Sequence, residues 1–62
     1  MTKTERVKEW AAYYRASPLK YNMNALLAVL KTDGEKMLAD VLREIGLESS
    51  LELVKDAAKN DH

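Results

Sequence analysis

The chain has no cysteine and no phenylalanine, one proline, two glycines and a single histidine, His62, its last residue. Each scarcity removes a class of chemistry. Without cysteine there is no disulfide staple, no thiolate metal site and no cysteine nucleophile. Without an internal histidine, no serine has a neighbouring imidazole base. A metal would need carboxylates alone, and no calcium-loop spacing occurs. Two isolated glycines, Gly34 and Gly46, make no phosphate-cradling loop. No apolar run nears the roughly 18 residues of a membrane span. The N-terminus lacks the apolar stretch of a secretory signal, so a cytoplasmic location is expected. No enzyme, cofactor or metal is expected.

The remainder is rich in charge and in apolar side chains: 32% charged, 47% hydrophobic, and a formal net charge of zero. That zero hides a division. Residues 1–32 hold six bases and two acids, a net of +4; residues 33–62 hold four bases and eight acids, a net of −4. Such asymmetry points to a charged partner, or to the two halves meeting. At 62 residues the chain is a single small domain, residues 1–62. A domain this size buries only about 60% of its unfolded surface, and in the absence of disulfides and metals, oligomerisation is the remaining support.

The apolar residues recur with helical period, and start signals punctuate them. Thr2-Lys3-Thr4-Glu5, Thr32-Asp33-Gly34-Glu35 and Ser49-Ser50-Leu51-Glu52 all fit the capping box. Ser17-Pro18 adds an N-cap followed by proline at the first helical position. The expected fold is all-α, a compact bundle of four short helices over about 3–16, 18–31, 33–45 and 50–59. The first helix buries Val7, Trp10, Ala11 and Tyr14, and the second Leu19, Met23, Leu26, Leu27 and Leu30. The third buries Leu38, Val41, Leu42 and Ile45, and the last Leu51, Val54 and Ala58. Gly46, with apolar Leu47 after it, suits a left-handed C-terminal cap. Residues 25–30 are six apolar residues in succession, which marks the second helix as central. Val29 falls off its main stripe and Leu53 off that of the last helix, so the pair is a candidate dimer seam.

One stretch stands out for partner binding. From Trp10 to Thr32 there is no acid at all. Lys20, Tyr21, Asn24 and Lys31 fall on one arc of the second helix, with Tyr13 and Arg15 before them. Aromatic and arginine side chains dominate the binding energy of protein interfaces. Lysine and asparagine suit phosphates and base edges.

Residues 45–51, Ile45-Gly46-Leu47-Glu48-Ser49-Ser50-Leu51, resemble the turn of bacterial helix-turn-helix repressors. There an apolar residue, glycine, a second apolar residue and then hydroxyl residues lead into the recognition helix. The resemblance spans under a third of the chain. Leu42 stands where that family has a small residue, and the apolar anchor Leu51 comes one place early. It implies a last helix that reads DNA, but that helix carries Glu52 and Asp56 just after Glu48, a sign that phosphates repel.

The favoured expectation is a non-enzymatic regulatory or accessory module that binds another macromolecule, a protein, as a homodimer. Its partner-binding residues would be Tyr13, Arg15, Lys20, Tyr21, Asn24 and Lys31. The alternative is a small DNA-binding regulator using the same basic surface. The third reading is a structural assembly subunit in which +4 and −4 halves of neighbours meet.

Overall fold

A computed structural model describes residues 2–19 and 22–60. Among them every regular element is helical: α1 (Lys3–Arg15), α2 (Met23–Glu44) and α3 (Leu51–Lys59), with a 3-10 turn (Glu48–Ser50) leading into α3. Three α-helices replace the expected four, and each departure has a local cause.

α1 begins where its sequence says. The Thr2 hydroxyl accepts from the Glu5 N–H at 3.2 Å and donates to the Glu5 carboxylate at 3.2 Å, so the pair closes the first turn. The second helix does not begin at Ser17-Pro18. The Ser17 hydroxyl accepts from the Leu19 N–H at 3.2 Å, which closes a local turn rather than a helix start. The cap is Asn22, whose side chain accepts from the Ala25 N–H at 3.3 Å. Leu19, expected in the core, consequently lies outside the helix and is 60% exposed.

The expected break at Thr32-Asp33 falls instead on one residue further on. The helix runs through from Met23 to Glu44 with a single non-helical residue, Gly34, at φ 89° and ψ 177°. That conformation is essentially restricted to glycine. A straight helix of this length would run about 33 Å, longer than the molecule's greatest extent of 31 Å. The kink at Gly34 folds the two arms of α2, residues 23–33 and 35–44, into one compact body.

The end of α2 follows its sequence. Gly46 takes φ 78°. The Leu47 N–H reaches the Leu42 carbonyl at 2.7 Å and the Gly46 N–H reaches that of Arg43 at 3.3 Å. This is the paired Schellman closure. The third capping box, with Ser49 as its cap, is not used as expected: the cap of α3 is Ser50, at φ −88° and ψ −1° with no side-chain cap bond, and a 3-10 turn leads into the helix.

Tyr14, Ala25, Leu26, Val29, Leu38, Val41, Leu42 and Val54 form the core, and Val7, Trp10, Leu27, Leu30, Met37, Ile45, Leu47 and Leu51 pack against it. α1 and α3 both pack on α2, which makes α2 the central helix. This explains its uninterrupted apolar run. It also corrects the seam: Val29 is 1% exposed and faces the core, whereas Leu53 is 56% exposed.

A candidate binding surface

The charge division is used first inside the fold. Arg6 on α1 grips Asp33 at the end of the first arm of α2 with two bonds, Nε to Oδ2 at 2.7 Å and Nη2 to Oδ1 at 3.3 Å. The Trp10 indole N–H donates to the same Oδ2 at 2.6 Å. The Arg6 guanidinium also lies 5.3 Å from the centre of the Trp10 ring, within cation–π range. The Arg6 bonds, and then the indole, hold the Asp33 carboxyl below the usual carboxylate range. Asp33 sits immediately before the kink, so this cluster ties α1 to the bend in α2.

Two further contacts run from the basic half to the acidic half. Lys3 Nζ lies 2.9 Å from Asp40 Oδ2, and its hydrogen bond lowers the Asp40 pKa. Arg15 Nη2 donates to the Glu44 carbonyl at 3.1 Å, filling an acceptor that the end of α2 leaves open. On the far side Lys55 bridges Glu35 at 3.3 Å and Glu52 at 3.5 Å. These pairs are solvated, so each is individually weak. Lys3–Asp40 and Arg15–Glu44 join α1 to the second arm of α2, beside the apolar packing of the core.

Among the described residues the partner-binding candidates divide into two places. Tyr13 and Arg15 lie on the last turn of α1, and Asn24 on the first turn of α2; all three are exposed. They bracket one corner of the molecule, closed by the Asn22 N–H donating to the Tyr14 hydroxyl at 3.4 Å. Tyr13 is 57% exposed, and its ring stands edge-on to Trp10 at 5.7 Å. Lys31 is exposed but lies seven residues beyond Asn24 on α2, about 10 Å further along the axis. Lys20 and Tyr21 lie outside the described residues. The sequence reading missed Leu19, whose place in an apolar stripe disguised a large exposed side chain at this corner.

Two open hollows flank the charge contacts. One of about 200 Å³ is lined by Arg6, Glu9, Trp10 and Thr32. The other, of about 250 Å³, is lined by Lys3, Thr4, Val7, Asp40 and Glu44. Both are smaller than the roughly 300–1,000 Å³ of ordinary small-molecule sites, and their main charges are already paired. Among the described residues no three His, Cys, Asp or Glu side chains gather as a metal site, and no helix is long and apolar enough to cross a membrane. No family model, curated protein or solved structure matches the chain.

Proposed function

We propose that the chain is a small non-enzymatic regulatory or accessory module that docks the α1–α2 corner on another protein. The observation that carries this reading is the exposure of two large side chains at the end of α1 and in the connection to α2, Tyr13 at 57% and Leu19 at 60%. An exposed tyrosine is the kind of side chain that concentrates binding energy at an interface, and Leu19 adds exposed apolar surface in the adjoining connection. The corner belongs to the stretch without acids, so the complementary surface is apolar with an acidic rim.

A nucleic-acid reading of the same stretch has less support. Of the six bases in residues 1–32, Lys3 and Arg6 are ion-paired and Arg15 donates to a backbone carbonyl. Protein–DNA complexes often neutralise 6–10 phosphates, more than this surface supplies.

The test is affinity capture from the native host with wild type and a Tyr13→Ser/Leu19→Ser variant side by side. The expected result is a protein retained by wild type and lost by the variant, with equal helicity by circular dichroism. Equal capture by both chains would place the binding surface elsewhere. A heparin column run beside it should show no retention above about 100 mM salt, since phosphate binding is steeply salt-dependent.

A further inference from the structure

Gly34 carries more than a change of direction. It is the single non-helical residue in α2, and both arms around it are regular helix. It also stands beside the charge boundary: residues 1–33 hold six bases and three acids, a net of +3, and residues 35–62 hold four bases and seven acids, a net of −3. The core itself is shared across that line, with Tyr14, Ala25, Leu26 and Val29 on one side and Leu38, Val41, Leu42 and Val54 on the other. The two halves are therefore complementary in apolar surface and in charge, and one rotatable residue joins them.

We propose that Gly34 is a hinge and that a second copy of this chain is a partner admitted by it. The dimer forms by exchange of halves. In it α2 is a continuous helix through residue 34. Residues 1–33 of each copy pack on residues 35–62 of the other, through the contacts that close the monomer. Lys3–Asp40 and Arg15–Glu44, which join the halves within one chain, then form between chains. Exchange adds no new surface, so its cost is the association entropy, offset by release of the kink. The short connection across a single residue favours this, because a hinge without slack gains most by straightening.

The effect of a side chain at the hinge can be scaled. A Cβ on Gly34 meets nothing within 4 Å, so the closed form is opposed by its dihedral angles alone. Those angles disfavour an alanine by a factor of roughly 5 to 150. Within a straight helix alanine is favoured over glycine by about fivefold. Each chain shifts toward the straight form by about 25-fold or more, and two hinges per dimer square this to about 600-fold.

The experiment compares wild type, Gly34→Ala and a synthetic chain with D-alanine at position 34. D-alanine favours the positive φ of the kink and opposes the straight helix. Light scattering after size exclusion gives the mass, from micromolar to millimolar concentration, after heating and slow cooling. Wild type should be a monomer with a dimer fraction that rises with concentration. Gly34→Ala should dimerise about 600-fold more tightly or better with helicity retained, and the D-alanine chain should stay monomeric. Exchange is then separated from simple face-to-face pairing by mixing Lys3→Cys and Asp40→Cys chains, refolding them together, and applying a short thiol crosslinker. The chain has no cysteine of its own, so a covalent heterodimer reports contact between those two positions in different chains. A wild type that is monomeric throughout, a Gly34→Ala chain that is monomeric or loses helicity, or a dimer that yields no heterodimer crosslink overturns the proposal.

Discussion

Replacing Leu38 by alanine is the sharpest perturbation of the core, and Leu53→Ala is its control. Leu38 is 0% exposed and packs with Val41, Leu42 and Val54, each also at 0%. Truncating such a leucine forfeits its transfer free energy and leaves a cavity that the surroundings only partly fill, together about 2–5 kcal/mol. A 62-residue domain at about 0.05–0.15 kcal/mol per residue has roughly 3–9 kcal/mol in all. Leu38→Ala should thus remove a large fraction of the stability, or all of it. For a domain of this size each kcal/mol shifts Tm by about 4–8 °C, so the fall is at least about 8 °C. Leu53 is 56% exposed, and its truncation should stay within about 0.5 kcal/mol. The assay is urea and thermal unfolding by circular dichroism at low micromolar concentration. A Leu38→Ala cost below about 1 kcal/mol, or a Leu53→Ala cost exceeding it, would refute this assignment of the core.

Three other outcomes follow from particular residues. Asn22→Ala should cost about 1 kcal/mol, because its side chain caps α2, while Ser50→Ala, at a position with no side-chain cap bond, should leave the unfolding midpoint in place. Gly46→Ala should destabilise by about 1–2 kcal/mol through its positive φ alone, since a Cβ there meets nothing; Gly46→Asn should cost less in the same urea titration. The pH dependence has a definite sign at both ends. Asp33 and Asp40 bind protons more weakly folded than unfolded, owing to Arg6 and then Trp10 in one case and to Lys3 in the other. Their contribution is complete above the ordinary value of 3.8 and is lost as pH falls through the folded values. Lys55, raised above 10.5 by its bond to Glu35, contributes fully below that value and loses its share as pH rises through the folded one. Asp33→Asn should be less stable at neutral pH and show a shallower acid limb in denaturant midpoints.

The helical class, the buried stripes of α1 and of the second arm of α2, and the glycine cap at Gly46 were all legible in sequence, because each rests on local spacing. What was not legible depended on competition between neighbours. Ser17 and Asn22 are both good caps, and only the turn closed between Ser17 and Leu19 decides for Asn22. The capping-box pattern at Thr32 marked a break between two helical arms, and the structure places it at Gly34, whose φ 89° and ψ 177° are non-helical. Val29 looked off-stripe on an isolated helix, but a central helix packed by α1 and α3 has more than one buried face. At the surface, the exposure of Tyr13 could be anticipated from its place beside the α1 stripe. The grip of Arg6 and Trp10 on Asp33 links residues 27 and 23 positions apart, beyond the reach of any periodicity.

The oppositely charged halves of the chain meet in ion pairs between α1 and α2. The direct measurement is the urea midpoint of the wild-type chain in a sodium chloride series from about 0.01 to 0.5 M, over which the Debye length falls from about 30 Å to a few ångström. If +4 and −4 attract across Lys3–Asp40 and Arg6–Asp33, the midpoint falls steadily as salt rises. A midpoint that is flat or rises with salt would contradict the claim.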